Sequence, residues 1–593
     1  MRDFIKNTLA SLLAIFIFLG MSVTGLLFLV ILSATKDAVP RVKDKSVLSF
    51  NMGLNITDAV QGSPNEFNQA LGNQPEGISL KATLDAINEA TRDRKIVAIY
   101  LHGEMAGGTG YAQLKELRGA LQRFRDAGKK IIAYDINWGE REYYLASVAD
   151  TILLHPFGSL EMNGISSEGV FFAGALQKYG IGVQVTRVGR YKSAVEPFIL
   201  QQRSPENRQQ TQQLLGDLWG EFVQTVAKSR NISPQQLQTI ADTQGILEPD
   251  QALQQKLITK TAYEDEVIEQ LKQIGTEEDD SFRRIELQSY ATVASDQINQ
   301  NRNASEKIAV VYAEGDIVNG RGDFDQIGGD RFARLFREIR QDDDVKAVVL
   351  RVNSPGGSAV ASEVIQREIV LTRKEKPVVV SMGSIAASGG YWISTSSDRI
   401  FAESNTITGS IGVFGLLPNI QQLANNNGIT WDAVKSARLA DLQTVTRPKT
   451  PQEMALIQKS VDRIYDQFLT RVADARKLPK TRVAEIAQGR VWSGKQAKAI
   501  GLVDEIGGLE AAIQDAAKRA KLGDKWQIEE YPRPRSFAEL LFAAPDSQFA
   551  NLFASKDPIL TELNKLKTEL TVLTTLNDPR AAYARLPFNF RLD

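Results

Sequence analysis

The 593-residue sequence predicts an α/β fold built from two tandem homologous domains, preceded by one N-terminal transmembrane helix. Three observations support this prediction: a long uncharged apolar segment near the start, an ordered series of matches between the two halves, and short β-branched runs separated by helical stretches. The predicted order is a membrane anchor over 1–35, a first domain over 46–290, a linker over 291–304, a second domain over 305–530 and a C-terminal tail over 531–593.

The apolar segment comes first along the chain. No charged residue occurs from Asn7 to Thr35, and the run Leu9–Leu32 is dense in Leu, Ile, Phe and Val. This run exceeds the roughly 20 residues that span a bilayer, whereas a cleaved signal peptide has an apolar core of about 7–15 residues. We therefore expect an uncleaved anchor. Basic residues flank both of its ends, so the charge count does not decide its orientation.

The two halves of the chain match each other at a separation of 248 residues. The matched positions are Tyr143 with Tyr391, Asp150 with Asp398, Gly164 with Gly412, Gly180 with Gly428 and, at slightly different spacing, Ala106–Gly108 with Pro355–Gly357 and Gln251–Leu257 with Gln496–Leu502. Chance can produce one or two such matches but not an ordered series. The sequence therefore predicts an internal duplication.

Strands alternate with helices within each half. In the second half the apolar runs Ile308–Tyr312, Ala347–Val352 and Pro377–Ser381 are typical of strands. The stretch Ala359–Arg373 separates two of them and is predicted to be helical. Strands that alternate with helices indicate a largely parallel sheet.

Composition excludes several classes of function. The net charge of -1 provides no basic field for nucleic acid, so no nucleic-acid partner is expected. The absence of cysteine excludes disulfides, thiolate nucleophiles and Cys-ligated metals. The only two histidines, His102 and His155, follow apolar runs and are interpreted as residues at strand ends. A multi-histidine zinc site is therefore not expected.

Two glycine-rich loops in the second half carry the candidate chemistry. Asn353–Ser358 and Ala386–Tyr391 each follow a predicted strand, and the second loop presents Ser388. Glycines permit a sharp turn and the close approach of a substrate carbonyl, and their N–H groups can form an oxyanion hole. Such turns also bind phosphate groups. The local sequence therefore does not distinguish an oxyanion loop from a phosphate-binding loop.

The duplication points to a composite site. Ser388 aligns with Glu140, so the first half lacks the serine, and Lys192 aligns with Ala440, so the second half lacks the lysine. A serine nucleophile needs a base, and lysine is the natural candidate where histidine is scarce. An ordinary lysine, with a pKa of about 10.4, is protonated at neutral pH, so Lys192 would have to be buried. The alternative is an ordinary surface lysine.

Six motifs together resemble the signal peptide peptidase A family, also called protease IV, in its long duplicated form. They are Ser354–Gly357, Ala386–Ser394, Thr408–Gly412, Tyr191–Phe198, Gly489–Gly494 and Ala499–Gly508. The resemblance covers roughly residues 1–530. It implies a Clp protease/crotonase-like fold in each half and a Ser/Lys dyad. The implied site residues are the nucleophile Ser388, the general base Lys192, backbone oxyanion donors at Gly356 or Gly357 and Gly389, and Ser410 as a residue that orients the site.

The same resemblance implies an activity, a set of partners and a cellular location for the chain. The expected activity is that of a membrane-bound serine endopeptidase that degrades cleaved signal peptides and other small hydrophobic peptides. The expected partners are those peptides, the lipid bilayer and further copies of the chain, with a tetramer favoured. No metal or nucleotide cofactor is expected. The expected location is the bacterial inner membrane, with the catalytic domains on the periplasmic side.

Two alternatives belong to other functional classes. A crotonase-like acyl-CoA enzyme also uses glycine-loop amides as an oxyanion hole, but it needs neither Ser388 nor Lys192. A non-catalytic membrane scaffold of the same fold typically loses one of these two residues, and this sequence retains both.

Overall fold

The computed structural model describes residues 15–20, 25, 40–59, 77–105, 109–301, 304–323, 325–523, 525–533, 578 and 582–586. Most of the predicted anchor and tail, and the match at Ala106–Gly108, lie outside these ranges. No helix within the described ranges combines the length and the apolar character needed to cross a bilayer.

The described elements alternate between strands and helices along both halves of the chain. The strands are β1 Ser46–Asn51, β2 Asn55–Thr57, β3 Gly77–Ser79, β4 Ile96–His102, β5 Lys130–Trp138, β6 Thr151–Met162, β7 Gly182–Val188, β8 Gly245–Leu247, β9 Lys260–Thr261, β10 Glu277–Glu278, β11 Ser281–Phe282, β12 Arg284–Glu286, β13 Lys307–Glu314, β14 Asp316–Val318, β15 Gln326–Gly328, β16 Val345–Ser354, β17 Gly356–Ser358, β18 Val378–Ala387, β19 Arg399–Ala402, β20 Ile407–Gly409, β21 Val413–Asn419, β22 Val491–Ser493, β23 Glu505–Ile506, β24 Gln527–Tyr531 and β25 Tyr583–Arg585. The α-helices are α1 Leu80–Arg92, α2 Tyr111–Asp126, α3 Glu140–Ala146, α4 Ala173–Lys178, α5 Glu196–Ile199, α6 Pro205–Arg230, α7 Pro234–Thr243, α8 Pro249–Gln254, α9 Glu264–Ile274, α10 Leu287–Asn301, α11 Gly329–Gln341, α12 Ala359–Arg373, α13 Gly389–Ser394, α14 Gln421–Asn426, α15 Pro451–Arg476, α16 Lys480–Ile486, α17 Gly494–Ala499 and α18 Leu509–Arg519.

Each half contains a mostly parallel sheet covered by helices. The first sheet has the order β12-β1-β4-β5-β6-β8, with β9 also paired to β6, and β8 is its antiparallel strand. The second has the order β22-β20-β18-β16-β13-β24, and β22 is its antiparallel strand. In addition, β19 pairs with β18, and β23 pairs with β19. The middle of each central strand is largely apolar and buried, as in Ile308–Ala313 of β13 and Ala347–Leu350 of β16, which is typical of parallel sheets covered by helices on both faces. The prediction of an α/β fold is therefore confirmed.

The three apolar runs predicted in the second half are confirmed as strands. Ile308–Tyr312 lies in β13, Ala347–Val352 lies in β16, and the run that begins at Pro377 forms β18 from Val378 onward. The predicted helix over Ala359–Arg373 is α12. Ser358 caps this helix because its side chain accepts a hydrogen bond from the Ala361 N–H.

The duplication extends to individual hydrogen bonds. The hydroxyl of Tyr143 donates to the Leu257 carbonyl at 2.6 Å, and that of Tyr391 donates to the Leu502 carbonyl at 2.8 Å. These are matched positions in the two halves. Likewise, the carboxylates of Asp150 and Asp398 each accept the backbone N–H at the start of a central strand, at 2.9 and 2.8 Å.

A third sheet joins the halves and positions the candidate site. Its order is β15-β14-β17-β25-β21-β7, in which β7 belongs to the first half and β21 to the second. These two strands are antiparallel along their whole length, and Val188 pairs with Val413. Because Lys192 follows Val188 closely and Ser410 precedes Val413, this register brings the two residues together.

A buried ion cluster also connects the halves. The Arg351 side chain, in β16, is fully buried. Its guanidinium lies 2.8 Å from the carboxylate of Asp58 and 2.7 Å from that of Glu116, and both acids belong to the first half. Glu116 in turn accepts the Leu509 N–H at 2.6 Å. Each charge therefore has a partner, as a buried charge requires.

The predicted linker over 291–304 is helical as far as Asn301, because α10 runs through it. Tyr290 and Ala294 are fully buried in the first core. This segment therefore packs as part of the first half, and the domain boundaries stay a prediction.

Replacing Arg351 with Met is expected to destabilise the protein by about 3–5 kcal/mol, because it leaves two carboxylates buried without their cation. Chemical denaturation measures the loss. The control is Arg373→Met, which breaks a more exposed pair with Asp398 at 2.8 Å in the same half. That change is expected to cost about 1 kcal/mol or less. Equal effects of the two substitutions would contradict the assigned role of Arg351.

Candidate active site

Ser388 occupies a sharp turn between β18 and α13. Its backbone has φ 57° and ψ −112°, a conformation that costs a non-glycine residue on the order of 1–3 kcal/mol. Two hydrogen bonds hold the turn: the Ser388 N–H donates to the Gly409 carbonyl, and the Trp392 N–H donates to the Ser388 carbonyl, both at 2.8 Å. The turn presents the serine hydroxyl at the carboxyl end of the sheet.

Lys192 reaches this hydroxyl from the first half. The turn after β7 is fixed by hydrogen bonds from the Tyr191 N–H to the Gln488 carbonyl at 2.9 Å and from the Lys192 N–H to the Gly189 carbonyl at 3.1 Å. The Lys192 side chain is fully buried. Its Nζ lies 2.8 Å from Ser388 Oγ.

Ser410 completes this arrangement. Its hydroxyl lies 3.0 Å from Lys192 Nζ, and its carbonyl accepts a hydrogen bond from the same nitrogen at 3.1 Å. The Ser410 N–H donates to the Arg490 carbonyl at 2.7 Å, which fixes the turn after β20. The structure thus brings together the predicted Ser388, Lys192 and Ser410.

Burial dominates the electrostatics of Lys192. It lowers the pKa of the ammonium group well below its ordinary value, and within the described part of the chain no carboxylate acts against this shift. Transfer from water to a low-dielectric interior disfavours the charged form. A neutral amine beside a hydroxyl can accept its proton, so the pair has the chemistry of a nucleophile and a base.

Two glycines to which the sequence analysis gave no role in the site make room for the lysine. A Cβ atom on Gly489 would lie 2.6 Å from Lys192 Cβ, and one on Gly412 would lie 3.2 Å from Lys192 Cδ. Gly489 also has φ +72°, which favours glycine. Both residues occur in motifs of the family resemblance, and that was the available signal.

The predicted oxyanion glycines lie next to one another. A Cβ atom on Gly356 would come within 2.6 Å of the Gly389 nitrogen, so the two loops touch. The Gly356 N–H donates to Ser354 Oγ at 3.1 Å and is thereby engaged. The N–H groups of Gly357 and Gly389 are therefore the better candidates for binding a carbonyl oxygen.

The equivalent place in the first half holds Glu140, at the start of α3. Its carboxylate accepts the N–H groups of Asn163 and Gly164, both at 2.6 Å. Burial raises the pKa of Glu140 to about 7. This half carries no hydroxyl at the turn that corresponds to Ser388.

The two histidines make their hydrogen bonds with other residues of the first half. His102 ends β4, as predicted, and its ring lies 3.0 Å from the Ser49 hydroxyl. His155 lies inside β6 rather than at a strand end, because β6 continues to Met162, and it accepts the Phe157 N–H at 3.1 Å.

The close packing of Gly412 and Gly489 against Lys192, called the glycine cradle here, can be tested by substitution. Gly489→Ala is expected to lower the rate at which a fluorophosphonate modifies Ser388 by about 10²-fold, because the new methyl group displaces Lys192. Mass spectrometry of the labelled peptide measures this rate. Gly428→Ala is the matched control, since Gly428 has φ +74° but no atom near an added Cβ. An unchanged rate in Gly489→Ala would contradict the assigned role of the cradle.

A family model matches the chain twice. The model of peptidase family S49 covers residues 123–277 and 371–523, and the two matches begin 248 residues apart, as the duplication predicts. The first match contains Lys192, and the second contains Ser388, Gly389 and Ser410. The predicted duplication is thereby confirmed.

Similar proteins cover most of the sequence. Protease 4 of Salmonella typhi is 38% identical over 85% of this chain and 83% of its own length. The chloroplastic serine protease SPPA of Arabidopsis thaliana is 31% identical over 83% of this chain and 72% of its own. A putative signal peptide peptidase SppA of Enterococcus faecium is 35% identical over 41% of this chain and 71% of its own. The chain belongs to peptidase family S49 and is a serine peptidase.

Proposed function

We propose that this chain is a membrane-bound serine endopeptidase that uses a Ser388/Lys192 dyad to degrade cleaved signal peptides and other small hydrophobic peptides. The observation that carries the dyad is the fully buried Lys192 Nζ, 2.8 Å from Ser388 Oγ. Neither residue would be needed by an acyl-CoA enzyme.

Acylation follows from this geometry. Neutral Lys192 accepts the hydroxyl proton as Ser388 Oγ attacks the peptide carbonyl. The backbone N–H groups of Gly357 and Gly389 stabilise the negative charge on the carbonyl oxygen. The new ammonium group then gives its proton to the leaving amine. The amine product departs and leaves an ester on Ser388.

Deacylation reuses the same groups. Lys192, neutral again, takes a proton from a water molecule that attacks the ester carbonyl, and then returns it to Ser388 Oγ. Ser410 acts throughout as a positioning residue. Its hydroxyl and carbonyl hold Lys192 Nζ on the side of Ser388 and stabilise the transient ammonium charge.

The proposal also covers the fold type, the membrane location and the assembly of the enzyme. A Clp protease/crotonase-like fold in each half fits the parallel sheets with functional loops at the carboxyl ends of their strands. An anchor over 1–35 would hold the chain in the bacterial inner membrane, where cleaved signal peptides remain, with the catalytic domains on the periplasmic side. Assembly as a homotetramer belongs to the same proposal. The relative in Enterococcus faecium, which is named as a signal peptide peptidase, supports the choice of substrate.

Removing either member of the dyad is expected to lower the hydrolysis of a hydrophobic signal peptide by about 10³-fold or more, with the fold preserved. The variants are Ser388→Ala and Lys192→Met, assayed by release of a fluorogenic peptide fragment, with circular dichroism as the check on folding. Lys449→Met is the control, because Lys449 is also nearly buried and its pKa is also lowered by burial. Activity retained in Lys192→Met but lost in Ser388→Ala would place the base elsewhere.

The dyad also predicts a pH dependence. Only neutral Lys192 can accept the proton, so the acylation rate should rise with pH through the lysine pKa and level off above it. Since burial lowers that pKa, the midpoint should lie well below the ordinary lysine value of about 10.4. Stopped-flow acylation by an activated peptide ester measures the profile. A rate that rises only around pH 10 would show that the lysine is charged at neutral pH.

A further inference from the structure

Helix α6 of the first half lies against strand β22 of the second half. Leu214 packs in an apolar cluster with Val491, and the Ser493 hydroxyl donates to the Asp217 carboxylate at 2.6 Å. Gln210 lies one turn before Leu214, on the same face of the helix, and its side chain is only 1% exposed. The helix therefore carries a buried amide to the boundary between the halves.

This amide connects the turn that presents Lys192 with strand β22. The Gln210 Nε2 donates to the Tyr191 carbonyl and to the Ser193 hydroxyl, both at 3.1 Å, so it holds the chain on both sides of Lys192. The Gln210 Oε1 accepts the Val491 N–H at 3.3 Å. One side chain thereby links the lysine turn of the first half to a strand of the second.

Two backbone groups fix the orientation of the amide. The Tyr191 carbonyl can only accept a hydrogen bond and the Val491 N–H can only donate one, so Nε2 has to face the first and Oε1 the second. Asn207 supports the same orientation, because its Oδ1 lies 3.4 Å from Gln210 Nε2 while its own Nδ2 donates to the Glu196 carboxylate at 2.9 Å. A hydrocarbon side chain of equal length could replace none of these bonds.

The residues directly before β22 form part of the wall around the lysine. Gly489 is the cradle glycine that lies against Lys192 Cβ. The carbonyl of Arg490 accepts the Ser410 N–H at 2.7 Å. By fastening the lysine turn to the start of β22, Gln210 keeps the lysine and its cradle together. A gap between them would admit water, which favours the charged form of the amine.

Charged side chains next to the lysine turn have partners other than the amine. The guanidinium groups of Arg190 and Arg490 lie 5.0 and 5.1 Å from the centroid of the Tyr191 ring, and the Glu196 carboxylate is occupied as described above. Burial is the cause that lowers the pKa of Lys192. The basicity of the amine therefore depends on how tightly the turn is held against its surroundings.

We propose that Gln210 is a positioning residue for Lys192, which fastens the lysine turn to β22 and thereby keeps water away from the amine. This inference rests on the proposed function, because it concerns the reaction of Ser388 with Lys192 as the base. The Gln210 amide bonds to the chain beside Lys192 and not to the amine itself. Its loss should therefore slow acylation and leave the binding of the peptide substrate unaltered.

Gln210→Met tests the proposal, because it keeps the length of the side chain and removes the amide. Acylation of Ser388 by an activated peptide ester at pH 7 is expected to slow by about tenfold, and the midpoint of its pH profile should rise by about one pH unit. In peptide hydrolysis kcat should fall while KM stays unchanged. The control is Gln366→Met, since Gln366 is 2% exposed and donates to the Ser396 hydroxyl at 2.6 Å; it should leave the midpoint unchanged.

The pH midpoint separates positioning from a purely structural role. A loss of stability alone reduces the fraction of folded protein and leaves the midpoint where it is. A midpoint in Gln210→Met equal to that of Gln366→Met would therefore overturn the proposal, whatever the rates. If the unaltered protein is not acylated at Ser388 at any pH, the proposed function itself fails.

Gln210→Glu provides a second variant that keeps the shape of the side chain. Its carboxylate can still accept the Val491 N–H but, when ionised, sets an oxygen against the Tyr191 carbonyl and releases the lysine turn. The midpoint of the acylation profile is again expected to rise. An unchanged midpoint in Gln210→Glu would contradict the proposal even if Gln210→Met does not fold.

Discussion

The burial of the Lys192 amine is the main physical requirement of the candidate site. Lys192 is fully buried, and its nearest polar partners are two serine hydroxyls and a carbonyl rather than a carboxylate. An acidic partner would stabilise the ammonium form and remove the basicity that the chemistry needs. The residues that contact Lys192 therefore have to be small, uncharged and closely packed. Gly412 and Gly489 meet that requirement.

The need for burial explains why both halves of the duplicated chain contribute. Lys192 comes from the first half, and Ser388 and Ser410 come from the second, so the site lies where the two pack together. The antiparallel pairing of β7 with β21 sets its register. The cluster around Arg351 is a second connection between the halves, through Asp58 and Glu116. The first half has Glu140 at the position that matches Ser388, so it contributes the lysine of the shared site and no second serine at that turn.

Much of this arrangement could be predicted from the sequence, because its signals are local or repeated. Apolar runs predicted the central strands, and the constant separation of 248 residues predicted the duplication. Alignment of the halves showed that Ser388 and Lys192 each lack a counterpart, and the family resemblance implied their roles as nucleophile and base. The role of Gly489 could not be read in this way, because it depends on a lysine almost 300 residues away that contacts it only after folding. Likewise, β25 is only three residues long, so its sequence shows no strand periodicity. Asp578, which precedes β25, accepts a hydrogen bond from the Ser358 hydroxyl, 220 residues earlier in the sequence.

The ionisation state of Lys192 decides whether this residue can act as a base at neutral pH, and NMR can determine it. In protein labelled with ¹³C at the lysine Cε positions, comparison with Lys192→Met identifies the Lys192 signal, and a pH titration follows it. We expect a titration midpoint well below the ordinary value of about 10.4, with the neutral amine already present near neutral pH. A signal that titrates near 10.4, like those of the exposed lysines, would contradict it.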